Sequence, residues 1–431
     1  MTWNQRYRTS SYIRSSLWVI PILALVVAQL SGSPIRALDP RLGWSGLGFG
    51  LDGAKSLTNA VVTLSLSFLV FTFGSLLVAI QVASGQYTPR IIATTLLKNN
   101  VIRLAVGLFV FTFLFALKAQ NRLETTVPQL VVFIVGFLGW SCITVFLFLI
   151  DYAARFLRPV SLVTIVGREG LAVVESVYPK KLDGSADETN GAIEPNPVQR
   201  TVLHSGASAI LLAVDIEGLV AEAKRVNGVI QIVPQVGDFV SGDEPLFLLQ
   251  GPATSLDDDA LRGAAAFGSE RTMEQDPLFA FRILVDIALK ALSAAINDPT
   301  TAVLAIDQLN RLLRNVGRRN LRKDAVSDEA GNVRLILRTP NWEDFVHLTL
   351  CEIRHCGASN LQIARRLRAM ILNLLEALPA ERQPALHTEL ALLDQAIDKL
   401  YAFPEDRALA RIPDTQGLGA SSHAAAKASL S

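Results

Sequence analysis

Four apolar runs, almost free of charge, fill most of the first 150 residues, and they constrain the fold of this chain more than any other feature. A helix needs about 20 apolar residues to cross the hydrocarbon core of a bilayer, because every backbone N–H and C=O must find its partner inside the segment. Runs at about 16–31, 59–83, 101–119 and 128–150 meet or approach that need. The first is short and follows Arg6, Arg8 and Arg14, so a cleaved leader ending near Ser31-Gly32-Ser33 is an alternative there. Three further spans make an uncleaved anchor the simpler reading.

Charge separates the chain into two parts. Half of the 431 residues are hydrophobic and 18% are charged, yet nearly all Asp and Glu lie after Tyr152. The fold class expected is therefore a membrane protein, mainly α: about four transmembrane helices, then a small β-rich module and a helical C-terminal cytoplasmic domain. A net charge of +1 offers no electrostatic footprint for nucleic acid. Three cysteines make no disulfide framework, which suits a reducing compartment for the soluble part.

Orientation follows from basic residues near the span ends. Arg6, Arg8 and Arg14 precede the first span, Arg90, Lys98 and Arg103 lie between the second and third, and Arg155, Arg158 and Arg168 follow the fourth. The opposite loops hold Arg36, Arg41, Lys55, Lys118 and Arg122 at lower density. Both termini are expected in the cytoplasm of a multi-pass protein of the inner membrane.

No Asp, Glu, Lys, Arg or His lies deep in a span, which argues against an ion-coupled carrier or proton pump. A passive pathway remains open. In the second span Asn59, Thr63, Ser67, Gly74 and Gln81 fall within about 80° of one another at roughly 100° per residue. Such a stripe serves helix packing through small residues, or lines a pore if several copies surround an axis. A homo-oligomer in the lipid bilayer is the expected assembly.

After the spans, 158–200 reads as a membrane-exit helix ended by Pro179 and a polar linker, 201–252 as a β-rich module with a hairpin at 238–249, and 253–412 as a helical domain. Residues 413–431, rich in Ala, Ser and Gly, read as a disordered tail. The segment Gly237–Leu246 has the look of a biotinyl or lipoyl carrier turn, but no lysine lies between Lys224 and Lys290 to take the cofactor. No cofactor is expected.

The stretch 271–314 carries the densest chemistry. A first helix, about 277–296, places Arg282, Asp286, Lys290, Ser293 and Asn297 on one face, with Arg282/Asp286 and Asp286/Lys290 at i,i+4. Asn297-Asp298-Pro299 then starts a second helix, with Asp298 as N-cap and Pro299 at the first helical position. One reading is a structural helix junction. Another is a ligand site in which Arg282, Lys290, Asn297, Asp298, Thr300 and Thr301, with Asp286 beside them at the junction, surround an anion or small ligand near the second helix's N-terminus. A Mg²⁺ site from Asp276, Asp286 and Asp298, and a Zn²⁺ stripe from His347, Cys351, His355 and Cys356, lack diagnostic spacing, so no metal is expected. Arg365, Arg366 and Arg368 read as a solvated basic face or a patch against anionic lipid.

Three of these segments together, QVASGQYTPRII at 81–92, VGDFVSGDEPL at 236–246 and RTMEQD with ALSAAINDPTTAV at 271–303, resemble a bacterial family known as domain of unknown function 2254. The resemblance implies a membrane protein of bacteria and no particular activity. Ala294 stands where that family is expected to carry Pro, which should loosen the turn. With no nucleophile–base pair, phosphate loop or metal cluster, a non-enzyme is expected. The leading reading is an oligomeric passive channel gated by its cytoplasmic domain, and the alternative is a non-conducting scaffold or sensor that binds a ligand or partner through its soluble domain.

Overall fold

The computed structural model describes residues 2–16, 18–42, 48–86, 99–123, 127–156, 158–182, 197–321 and 325–420. The linker after Leu182, the TPRII part of the second inter-span motif with Arg90 and Lys98, and the last eleven residues of the expected tail lie outside them. The chain forms two compact units, one of Ser11–Leu162 and one that combines Met1–Ser10 with Val163–Ser431.

The first unit is a helical bundle. After α1 (Trp3–Ser15), whose first residues belong to the other unit, come α2 (Val19–Leu42), α3 (Leu51–Gln86), α4 (Asn100–Gln120) and α5 (Gln129–Phe156). The directions of these helices alternate. Asn59 meets Gln120 and Phe68 lies tilted against Phe109 at 5.8 Å, so α3 and α4 are antiparallel. Asn99 donates to the Tyr152 hydroxyl at 2.6 Å while Cys142 meets Thr112, so α4 and α5 are antiparallel too. Ile20 lies against Gly107 and Gln29 accepts from Lys118, which makes α2 and α4 parallel. Small residues permit the close approaches: a Cβ on Gly139 would meet Val61 at 2.8 Å, and one on Gly107 would meet Ile20 at 2.6 Å.

Among the described residues, three helices, Leu51–Gln81 of α3 together with α4 and α5, are long and apolar enough to cross a membrane. The apolar part of α2, Val19–Ser31, is shorter, although the helix itself continues through Ser31-Gly32-Ser33 to Leu42. Arg103, near the start of α4, is buried and donates to the Ile13 carbonyl at 2.9 Å and to Asn100.

The second unit is entered by α6 (Pro159–Val177), which stops before Pro179. Its β-rich part contains β1 (Val198–Leu203), β2 (Ala209–Val214), α7 (Ile216–Val226), β3 (Val229–Ile232), β4 (Phe239–Val240), β5 (Pro245–Gln250), α8 (Asp258–Arg262) and β6 (Ala265–Gly268). The helical part contains α9 (Pro277–Leu292), α10 (Pro299–Val316), β7 (Ala325–Ser327), β8 (Val333–Ile336), α11 (Trp342–Gly357), α12 (Leu361–Ala377), α13 (Gln383–Leu400) and α14 (Pro404–Ala410).

Two sheets run in the orders β1-β5-β3-β8-β7 and β4-β2-β6, all antiparallel except β3 with β8. This corrects the expected hairpin at 238–249, because β4 and β5 belong to different sheets. The burial of β5 explains it: Leu246, Phe247, Leu249 and Gln250 are all buried, on both faces, so β5 is a central strand with β1 and β3 as its partners. It also corrects the module boundary at 252, since β6, β7 and β8 complete sheets begun earlier. Val202, Leu211, Leu219, Ile230, Phe247 and Leu335 share one core.

Two further readings change. The segment 413–420 is packed rather than disordered: the fully buried Arg365 donates to the carbonyls of Ile412, Gly419 and Ala420, and buried Asp414 accepts from Gln416, Gly417 and Gly419. For the same reason Arg365, Arg366 and Arg368 form no lipid-facing patch. The half-buried Arg366 pairs with Asp307 and the buried Arg368 with Asp394.

Candidate functional site

Helix α9 begins where Asp276 accepts from the Phe279 N–H and Pro277 occupies the first turn. Phe279 to Ala291 bury nearly every apolar side chain, so α9 is a central helix rather than one with a single dry face. Phe281 packs on Phe345 of α11 at 5.1 Å, and Phe345 meets Tyr178 edge-on at 6.3 Å. Each such ring contributes about 1.5–3 kcal/mol by leaving water.

The polar face of α9 is tied to α11. Arg282 donates through Nε to Asp286 at 2.6 Å and through Nη1 to Glu352 at 2.5 Å. The two carboxylates push the guanidinium pKa up, Glu352 contributing most, and Arg282 in turn holds the Glu352 carboxyl below the usual range. Asp286 therefore pairs across one helical turn, as the spacing predicts, while Glu352 comes from 70 residues away in sequence and left no local signal.

The helix ends in a turn in which Ile296 and Asn297 both donate to the Ser293 carbonyl and Asp298 donates to that of Ala291 at 2.8 Å. Asn297 takes a left-handed conformation, φ 47°, which Asn tolerates better than other side chains. Ala294 lies within this turn, and the three hydrogen bonds close it without a proline. Asp298 then caps α10, accepting from the Thr301 N–H at 3.1 Å and the Thr301 hydroxyl at 2.5 Å. Of the seven residues, Thr301 is buried, Arg282, Asp286 and Asp298 are half-buried, and Lys290, Asn297 and Thr300 are exposed. The junction thus brings together two subsets: Arg282 with Asp286, and Asp298 with Thr301.

Asp276 is the one strongly displaced carboxyl of this region. Burial raises its pKa to about 6, against the opposing pull of Arg271 at 3.9 Å. Asp276, Asp286 and Asp298 each serve a different partner, and among the described residues no three His, Cys, Asp or Glu side chains stand at metal-binding spacing.

In α3, Asn59, Thr63, Ser67, Gly74 and Gln81 are all exposed on the surface of the bundle. The inward positions are instead Ala54, Thr58, Val61, Ser65 and Thr72, with the Thr58 and Ser65 hydroxyls donating back to carbonyls one turn earlier. A Cβ on Gly74 would meet nothing within 4 Å.

Apolar helices of membrane-crossing length, joined to a large region of mixed sheet and capped, ion-paired helices, define a multi-pass membrane protein with a soluble C-terminal region. The chain belongs to the DUF2254 family, described as predicted membrane protein, whose model matches residues 14–373. Similar chains include an uncharacterized protein of Mycobacterium bovis and two of Mycobacterium tuberculosis. Each is 23% identical over 426 residues, covering 94% of this chain and 81% of the relative. No solved structure matches.

Proposed function

We propose that this protein is a four-crossing, homo-oligomeric membrane protein of the bacterial inner membrane in which α3 lines a passive pathway and the soluble unit faces the cytoplasm. The observation that carries the reading is the outward-facing polar stripe of α3. Asn59 accepts from Gln120 and the Ser67 hydroxyl donates to the Thr63 carbonyl, but hydrocarbon offers nothing to the remaining polar groups of Asn59, Thr63 and Gln81, so a neighbouring copy or a water-filled axis is the better surrounding for the stripe. The uncharged interiors of the spans leave a passive rather than an ion-coupled pathway.

Two features support a fourth crossing by α2. Its 24 residues extend about 36 Å at 1.5 Å per residue, and it runs parallel to α4 from the level of Gly107 to that of Lys118. The N-terminal residues also pack within the soluble unit, where Asn4 donates to the Gly263 carbonyl and Arg8 to that of Phe267. Residues 2–10 and those from Val163 onward share that unit, which favours an even number of crossings by the segment between them. The basic residues around these ends favour the cytoplasmic side.

A non-conducting sensor is the second reading, favoured by the open cleft in the soluble unit taken up below. Stoichiometry in detergent and solute flux from reconstituted vesicles separate the two. A defined oligomer with flux supports the pathway; a monomer, or an oligomer sealed to every ion gradient, removes it.

A further inference from the structure

An open cleft of about 920 Å³ lies in the soluble unit, walled by α6, α10 and the segment just after α6, with Asn373 of α12 at its side. It is far larger than an inorganic ion needs and falls in the size range of small-molecule sites. Five cations face it, Lys181, Arg311, Arg314, Arg318 and Arg319, against two carboxylates, Glu175 and Asp307.

Both carboxylates are already committed. Glu175 pairs with Arg319 at 3.1 Å, and Asp307 accepts from Arg366 at 2.7 Å. Arg319 is further held by the Tyr178 carbonyl and by Asn315, and Arg318 donates to the neutral Ala377 carbonyl. Among the described residues, the side chains of Lys181, Arg311 and Arg314 have no hydrogen-bond or ion-pair partner. Arg311 and Arg314 stand at i and i+3 on α10 and Arg318 lies in the turn just after its end, so this edge of the cleft carries three like charges that repel one another. Elsewhere in this unit arginines are paired closely, as Arg282, Arg334, Arg354, Arg366 and Arg368 show. Among the described residues, Arg311 and Arg314 of the cleft lack that pairing.

A neutral acceptor stands in the same wall. Among the described residues no donor reaches the buried Asn310 carboxamide oxygen, while its nitrogen reaches Asn373 at only 3.4 Å. An oxygen so placed calls for an N–H or O–H donor.

We propose that this cleft binds a small molecule carrying two or more phosphate charges together with hydrogen-bond donors. Guanidinium groups on adjacent turns suit several phosphate oxygens at once, and the Asn310 oxygen takes a hydroxyl or amino group of the same ligand. Both a soluble phosphorylated metabolite of nucleotide size and a polyphosphorylated lipid headgroup have this chemistry. The site is independent of whether α3 conducts.

The test uses the full chain in nanodiscs of phosphatidylcholine, titrated with pyrophosphate and with ATP, and repeated in nanodiscs containing a phosphoinositide bisphosphate. Variants are the double replacement Arg311→Gln with Arg314→Gln and, as a control, Arg225→Gln on α7. Arg311 and Arg314 are exposed and, among the described residues, unpaired, so the double variant should melt as wild type does without ligand. Saturable binding by wild type and Arg225→Gln, weakened at least roughly tenfold in the double variant, is the expected result. If it appears with ATP or pyrophosphate the source is a soluble phosphate; if only with phosphoinositide, a lipid headgroup. Equal binding by wild type and the double variant, or no binding in either arm, overturns the proposal.

Discussion

At the scale of single residues, Asp298 and Asn297 hold the junction between α9 and α10 by different means. Asp298 satisfies an N–H and a hydroxyl of Thr301, so Asp298→Ala should cost about 0.5–2 kcal/mol and Asp298→Asn less, read as shifts in melting temperature of the solubilised protein. Asn297 matters through its backbone. Asn297→Val should cost about 1–2 kcal/mol because a branched side chain resists φ 47°, whereas Asn297→Gly should be close to neutral. Asp276 links the same region to pH. Its carboxyl titrates near 3.8 when unfolded and at about 6 when folded, so between these values the folded state holds the extra proton. Its contribution is greatest below about 3.8 and declines as pH rises to about 6. Arg271 and Asp238 face this carboxyl with opposite effects. Asp276→Asn keeps the cap and should flatten the melting-temperature profile between pH 4 and 6; an unchanged slope would mean another group sets it.

At the scale of elements, local signals were legible and distant ones were not. The cap at Asp298 and the apolar periods of α3, α4 and α5 lie within a few residues, so their helices could be placed from sequence. The pairing of β3 with β8 joins strands about a hundred residues apart, and β4 and β5 look like a hairpin because they are close in sequence, though each has a better partner elsewhere. Arg365, Arg366 and Arg368 read as surface because nothing nearby reveals the carbonyls of 412–420 or the carboxylates Asp307 and Asp394. Arg365→Met should therefore cost at least about 2 kcal/mol and expose 413–420 to limited proteolysis. The hand-over from α7 to β3 is equally tight: a Cβ on Gly228 would stand 2.3 Å from the Ala253 nitrogen, so Gly228→Ala should destabilise by about 1–3 kcal/mol. The candidate site divides in the same way, since Arg282 with Asp286 was visible from i,i+4 spacing while Glu352 and the arginine cleft needed the fold.

At the scale of the whole molecule, the two units impose different demands. The soluble unit holds its buried arginines with carboxylates or, at Arg365, with backbone carbonyls, and among the described residues its cleft carries more cations than carboxylates. The bundle turns its small residues and apolar contacts inward, as at Gly139 with Val61, and leaves the longer polar side chains of α3 outside. An isolated copy in lipid has the opposite preference, which is why assembly around α3 is central to this account. The most direct measurement is the current through reconstituted Ser67→Cys protein, in a background where Cys351 and Cys356 are serine, before and after a charged water-soluble thiol reagent. Leu66→Cys, on a different face of the same turn, serves as the control. The account predicts a current that falls when Ser67→Cys is modified and is unaffected in Leu66→Cys. No current under any ion gradient or membrane tension, or a current indifferent to modification at 67, would contradict it.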